Sequence, residues 1–227
     1  MRFRIFRPLH GWREFIHEII IVLIGVLLAL GGAQLIDTLH SRSEVTRFRA
    51  AVDHELGRDL GVYAHIIAQR QCADGRLADL KRFLDDSSAG RTDRLDRPIG
   101  HPFMQTLFFS AWDNKGGAIM DQLPLDLRVA YGELYDELRN NEKVLINDLD
   151  VWRSMAIAEQ GQPLDHADRV RLRELVTRAA QVNANARPNH DYVVKLAQAL
   201  HIEPIGDPNL ERLASDESFC QPLLSRS

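Results

Sequence analysis

The sequence predicts an all-α protein, with one transmembrane helix near the N-terminus and a soluble helical domain behind it. An apolar run without any charge lies close to the N-terminus. The prolines leave long uninterrupted stretches, and apolar residues recur in those stretches at spacings of three, four and seven. Alternating runs of β-branched residues, which would predict strands, do not occur.

The apolar run covers residues 19–36 and reads IIIVLIGVLLALGGAQLI, which is 18 residues without a charge. A helix of that length spans about 27 Å, close to the hydrocarbon thickness of a bilayer. Phe15 lengthens the run, and Trp12 suits the interfacial layer. We therefore predict a transmembrane helix over residues 15–36 that follows a basic tail over 1–14, with lipid as its partner.

Positive charge predicts the orientation of this helix. Four arginines and no acid precede Glu14, whereas three arginines and two acids are mixed between residue 37 and Arg49. The positive-inside rule then places the N-terminus in the cytoplasm and the soluble domain outside it. In a bacterium this means an inner-membrane protein with a periplasmic domain.

A cleaved signal peptide is the rival interpretation of the same segment. Gly31 and Ala33 are small and correctly spaced for cleavage before Gln34. The long stretch before the apolar run, with two acids and a tryptophan in it, is unusual for a signal peptide and favours an uncleaved anchor.

The membrane segment also contains two candidate interaction features. Gly25, Ala29 and Ala33 recur every four residues and form a strip through which two helices could pack closely, which predicts a homodimer. Glu14 and Glu18 lie on one helix face at the membrane entry, where an acid is either a binding group or simply placed among the headgroups.

The stretch from Gly11 to Val45, GWREFIHEIIIVLIGVLLALGGAQLIDTLHSRSEV, resembles the opening of an uncharacterised family of bacterial single-pass membrane proteins. The family belongs to proteobacteria, sphingomonads especially, and combines a glutamate-led apolar helix with a long polar helix and a helical domain of unknown function. The stretch from Ser110 to Tyr135, SAWDNKGGAIMDQLPLDLRVAYGELY, resembles the family's tryptophan-containing segment. The resemblance implies the topology predicted above and no activity.

The residues behind the membrane segment predict a helical extracytoplasmic domain over 37–200. Apolar positions from Val45 to Leu84 predict a stalk-like helix over 37–86, which its glycines could bend. A polar loop leads from it to a helical bundle over 103–200.

Within the bundle, the apolar pattern and the capping residues predict four helices and a tail. They are a short buried helix from Phe103 to Trp112, a helix from Leu125 to about Gln160, a helix capped by Asp165, a helix capped by Asn189, and an irregular tail over 201–227.

Charge excludes a nucleic-acid partner. The chain carries a net charge of −4, and beyond residue 36 it has 24 basic and 30 acidic residues. Nucleic-acid surfaces need clustered lysine and arginine, which this balance does not provide.

No motif names a reaction, and we expect neither a metal nor a cofactor. His40, His54 and His65 share a helix face but lie about 21 and 16 Å apart along it, too far for one ion. Neither HExxH nor CxxC occurs in the sequence.

Other polar and aromatic residues of the domain are expected to be structural. Asp53, Glu55 and Asp59 are predicted to form a solvated helix face. Trp112 is predicted to be a buried anchor at a helix junction.

The two cysteines predict one disulfide. Cys72 falls late in the stalk-like helix and Cys220 lies in the tail, which has few apolar residues to hold it down. Because an extracytoplasmic compartment favours disulfides, we predict a bond between them that fastens the tail, and two separate buried thiols are the alternative.

These features favour a membrane-anchored module that binds, senses or scaffolds without catalysis. An envelope enzyme with a site assembled from scattered polar residues is one alternative, and a small subunit of a membrane complex is another.

Overall fold

The structure, a computed structural model, describes residues 11–91, 94–159, 163–208 and 217–224, without the side chains of residues 13, 14, 33, 37 and 217. The chain divides after Phe48 into an N-terminal and a C-terminal unit. The described residues form helices, turns and irregular segments without a strand, which confirms the all-α prediction.

The described part of the chain contains six α-helices and two 3₁₀ turns. The helices are α1 (Trp12–Ala68), α2 (Arg70–Ser88), α3 (Ser110–Asp113), α4 (Gly117–Gln122), α5 (Leu125–Ser154) and α6 (His166–Ala199), and the 3₁₀ turns are Met155–Glu159 and Glu217–Cys220.

The second part of α1, together with α2, builds one side of the core in the C-terminal unit. Gln69 separates the two helices, so the predicted long helix is interrupted there rather than at a glycine. From Val52 onward both helices bury apolar side chains that pack inside the unit, so they are not an isolated stalk. These side chains include Val52, Leu56, Leu60, Tyr63, Ile66, Leu77, Leu80, Phe83 and Leu84.

The helices α5 and α6 supply the other side of the core, and α6 packs against both α5 and α2. The sequence correctly placed α5, whose buried face includes Tyr131, Leu138 and Trp152. It also correctly placed the start of α6, because the Asp165 carboxylate accepts a hydrogen bond from the Asp168 amide at 2.8 Å.

The prediction of a separate helix capped by Asn189 is wrong. The helix α6 continues to Ala199 with Pro188 inside it. The Asn189 side chain does not cap a helix, and its amide instead donates to the Asn141 side-chain oxygen on α5 at 3.0 Å. A polar residue that reaches a neighbouring helix therefore looked like a helix start.

The prediction of a buried helix from Phe103 to Trp112 is also wrong for most of its length. Residues 101–109 have no regular secondary structure, and only Ser110–Asp113 is helical. Side chains of α1 and α5 accept hydrogen bonds from the amides of Leu107 and Phe108, and of residues 103–109 only Leu107 is buried. Apolar composition alone could not separate a helix from such an irregular segment.

The residues after α6 cross α1 at two glycines. The Ile205 amide donates to the Gly57 carbonyl oxygen at 2.8 Å. A Cβ added at Gly61 would lie 2.1 Å from the Ile205 carbonyl oxygen, so only glycine allows the two backbones to approach this closely.

A Gly61→Ala variant is therefore expected to lower the free energy of unfolding by about 1–3 kcal/mol, because the segment at Ile205 must move away. Urea unfolding of the full chain in mild detergent measures the loss. Gly75→Ala is the matched control, since nothing lies within 4 Å of its added Cβ and alanine favours the helix. Equal stability of both variants would contradict the close crossing.

Candidate functional site

The predicted membrane segment lies in the N-terminal unit and exposes its apolar side chains. Among the described residues, one helix is long and apolar enough to cross a membrane, judged by length and composition. None of its most apolar window is buried. Ile21, Val22 and Leu28 are each more than 60% exposed, whereas the same residue types in the C-terminal unit form its core.

The candidate interaction residues of this segment are only partly described. Gly25 and Ala29 are exposed, and a Cβ added at Gly25 would meet nothing within 4 Å. Glu18 is exposed beside Phe15 and Val22. The side chains of Glu14 and Ala33 lie outside the described residues.

The predicted disulfide is present. Cys72 on α2 is bonded to Cys220, with 4.6 Å between their Cα atoms and a sequence separation of 148. The bond ties the C-terminal segment, residues 217–224, to α2, as expected for a tail with few apolar residues. A groove of about 440 Å³ lies beside the bond, between α2 and residues 220–224.

A buried arginine reinforces this attachment. Arg76 lies one helical turn after Cys72 and is only 4% exposed. Its guanidinium donates to the carbonyl oxygens of Ser218 at 2.7 Å and Pro98 at 2.6 Å, and also to those of Phe219 and Ile99. It therefore joins the C-terminal segment and the loop at residues 98–99 to one side chain of α2.

Further contacts hold both chains against α2. The guanidinium carbon of Arg76 lies 4.7 Å from the centre of the Phe219 ring, and Phe219 packs edge-on against Trp152. The Leu223 amide donates to the Asp79 carboxylate at 2.8 Å, and the Leu223 side chain is completely buried. The C-terminal segment is thus part of the core.

Three carboxylates form a second buried polar region, which we call the acid cluster: Glu55 and Asp59 on α1 and Glu142 on α5. The prediction that Glu55 and Asp59 belong to a solvated face is wrong, because they are 9% and 0% exposed. Asp53, the third acid of that prediction, is partly buried and accepts from the Tyr131 hydroxyl at 2.6 Å.

The acid cluster accepts three backbone amides from residues 103–111, a segment that we call the strap and that runs into the start of α3. Glu142 accepts from the Leu107 amide at 2.7 Å, and Asp59 accepts from the Phe108 amide with both oxygens, at 3.0 and 3.1 Å. Glu55 accepts from the Ala111 amide at 2.9 and 3.1 Å. The carboxylates replace the hydrogen bonds that a helix or sheet would provide.

Hydroxyl groups and aromatic rings complete this region. Glu55 accepts from the Tyr135 hydroxyl at 2.9 Å and from the Ser110 hydroxyl at 2.7 Å. Trp112 is buried, as predicted, and stacks on Tyr135 with 5.2 Å between ring centres. Each cluster carboxylate therefore has protein donors, and the rings shield the cluster from solvent.

One carboxyl group of the cluster, that of Asp59, has a shifted pKa. Burial raises the pKa of Asp59 to about 7, and the charges of Glu55 and Glu142 raise it further. The hydrogen bond from the Phe108 amide and the charge of Arg58 lower this pKa. Burial and the hydrogen bond to Glu55 raise the pKa of the Tyr135 hydroxyl, which keeps it a donor.

A third polar region is a buried ion pair between α2 and α5. Arg70 donates to Asp148 at 2.7 Å, and both side chains are almost completely buried. Burial raises the pKa of Asp148, while the hydrogen bond and the charge of Arg70 lower it. The Asn183 amide of α6 donates to the Arg70 carbonyl oxygen at 3.1 Å, so this pair links three helices.

The described residues contain no group of three histidine, cysteine or acidic side chains placed to hold a metal ion. The carboxylates of the acid cluster are occupied by amide and hydroxyl donors instead. This arrangement positions the backbone of the strap.

No protein-family model, curated protein or solved structure matches this chain. Its function is therefore argued from its own residues.

Proposed function

We propose that this protein is a single-pass inner-membrane protein whose helical bundle lies in the periplasm and binds, senses or scaffolds without catalysis. The observation that carries the proposal is the uncharged run over residues 19–36, which is helical and buries none of its most apolar window. Lipid is the solvent in which such a helix is stable, because the hydrocarbon core accepts apolar side chains and a helix satisfies its own backbone.

The disulfide supports the proposed compartment. Bonds of this kind persist in oxidising compartments and are rare in the bacterial cytoplasm. The bond between Cys72 and Cys220 helps to hold the C-terminal segment on the core. The arginine-rich residues before Glu14 support a cytoplasmic N-terminus by the positive-inside rule.

The polar regions favour a binding role over catalysis. General acid or base catalysis needs a carboxyl group that can reach a substrate. The carboxylates of the acid cluster face the strap, and none of them lines the groove at the disulfide. An envelope enzyme and a subunit of a membrane complex are the alternative functions, favoured respectively by substrate turnover and by co-purification with an integral membrane complex.

Topology is the first test. Alkaline phosphatase fused after Ser227 is expected to be active in a bacterial host, and the full-length protein is expected to stay in the membrane after a carbonate wash. Leu27→Arg places a charge in the apolar run, which makes membrane insertion less favourable by about 3 kcal/mol, and should therefore weaken the anchoring. Leu125→Arg, at an exposed leucine of the C-terminal unit, is the matched control and should leave anchoring unchanged.

Two outcomes would contradict the anchored topology. An inactive fusion would place the domain in the cytoplasm. A released form that begins at Gln34 would show that the segment is a cleaved signal peptide.

Partners are the second test. Purification in mild detergent followed by mass spectrometry is expected to recover a stable protein partner or a second copy of the chain. A homodimer through Gly25, Ala29 and Ala33 is part of the proposal, since small residues allow close helix packing in lipid. Turnover of a substrate by the purified chain would favour the enzyme alternative.

A further inference from the structure

The strap is held by side chains, and its residues 103–109 have no regular secondary structure. Its amides at Leu107, Phe108 and Ala111 all donate to the acid cluster, and a fourth amide, at Phe103, donates to the Gln69 side chain at 2.9 Å. A segment attached in this way can detach without unfolding a long helix, since the one helix that it enters is the four-residue α3. Its docking therefore depends on the charge state of three carboxylates.

The charges around Asp59 are unevenly balanced. On α1 it faces the carboxylate of Glu55 and the guanidinium of Arg58, and on α5 it faces Glu142 and the hydroxyl of Tyr135. The strap contributes only the amide of Phe108. The Arg58 guanidinium is on the exposed side, 4.9 Å from the centre of the Phe108 ring.

Ionisation of all three carboxylates would therefore bury three negative charges against one exposed cation. Like charges in a buried region disfavour full ionisation, and one proton retained on Asp59 relieves the repulsion while its other oxygen still accepts the Phe108 amide. Detachment of the strap would hydrate the carboxylates and remove the same repulsion. Proton binding and strap docking are thus coupled.

We infer that the strap is a proton-sensitive latch, docked most firmly while the acid cluster retains a proton and loosened when all three carboxylates are ionised. Its opening exposes the Leu107 side chain, which is buried in the docked state. This inference concerns the C-terminal unit alone and holds whichever way the membrane segment is oriented.

The sign of the effect follows from linkage. The pKa of Asp59 is raised to about 7 when the strap is docked and would return toward its ordinary value of 3.8 when the carboxylate is hydrated. The docked state therefore binds the proton more tightly, and its stability falls as pH rises between these two values. Docking is firm in mild acid and weak in mild alkali.

Hydrogen exchange of the full chain in lipid nanodiscs tests the latch. Protection factors, corrected for the intrinsic pH dependence of exchange, are measured for peptides that cover the strap. We expect them to fall about tenfold between about pH 6 and about pH 8. Peptides from the centre of α6 serve as the internal control and should keep their protection.

Two variants make the test specific. Asp59→Asn keeps an oxygen for the Phe108 amide but cannot ionise, so strap protection should no longer depend on pH. Asp113→Asn removes a nearby exposed carboxylate, paired with Arg139 at 2.8 Å, and should keep the wild-type dependence. Glu142→Gln is the second variant: Glu142 contributes to the raised pKa of Asp59, so its loss should move the fall in strap protection to lower pH.

Strap protection that stays constant with pH in the wild type would overturn the latch. So would a folded Asp59→Asn variant that keeps the wild-type dependence, or a Glu142→Gln variant whose strap protection falls at the same pH as in the wild type.

Discussion

A Cys72→Ser/Cys220→Ser double variant is expected to lose up to about 5 kcal/mol of unfolding free energy in the chain-entropy model of loop closure. The bond closes a loop across 148 residues, so its loss greatly increases the freedom of the unfolded chain. For a domain of this size the loss corresponds to a melting temperature lower by about 10 °C. Thermal unfolding of the full chain in detergent, followed by circular dichroism, measures it.

Reduction provides the control for this variant. Wild-type protein treated with a strong reductant should melt near the double variant, whereas the double variant should not respond to reductant. Mass spectrometry without reduction should find the peptides of Cys72 and Cys220 linked in wild-type protein. An unchanged melting temperature, or two freely alkylatable cysteines in protein from the oxidising compartment, would contradict the role of the bond.

Replacing Arg76 with methionine is expected to lower the free energy of unfolding by about 3–5 kcal/mol, because several buried carbonyl oxygens lose their charged donor together. Methionine keeps the apolar stem, so the change isolates the guanidinium. The carbonyl oxygens of Phe219 and Ile99 would be left buried without their donor. Urea unfolding measures the loss, and hydrogen exchange should show faster exchange in the C-terminal segment.

The matched control is Arg153→Met. Arg153 lies at the end of α5 and pairs with Asp150 at 3.4 Å, and both side chains are exposed, at 59% and 72%. An exposed pair of this kind contributes no more than about 1 kcal/mol, so this variant should remain close to wild type. Similar losses in both variants would show that burial of Arg76 is not what makes it important.

The losses at Arg76 and at the disulfide should not be additive. Both groups hold the C-terminal segment on α2, and once one of them has released it the other has less left to stabilise. A triple variant of Arg76, Cys72 and Cys220 should therefore be more stable than the separate losses predict. Strict additivity would mean that the two attachments act on different parts of the molecule.

Helix periodicity predicted α5 and the start of α6 well, because both present long apolar stripes and α6 has an aspartate cap. It could not predict the irregular strap. Periodicity indicates which side chains of a helix are buried, but it does not indicate which side chains accept hydrogen bonds from backbone amides. The polar contact of Asn189 across to α5 misled the prediction of helix ends for the same reason.

The sequence did contain a signal for the buried polar groups. Asp59 lies seven residues after Val52 and seven before Ile66, so it occupies the apolar register of α1. Asp148 lies three residues after Leu145 and four before Trp152, so it occupies the apolar register of α5. A charged residue in a core register usually has a buried partner, but the sequence does not name the partner, which in both cases lies far along the chain.

The buried positions of Phe219 and Leu223 also set the order of events during biosynthesis. The elements they pack against, α2 and the end of α5, are made long before them. A nascent chain therefore holds an unfinished core until Leu223 has been added, and a chain interrupted before Cys220 has no covalent closure at Cys72. Premature termination products of this protein should consequently be recognised and degraded by proteases, even when every helix has been synthesised.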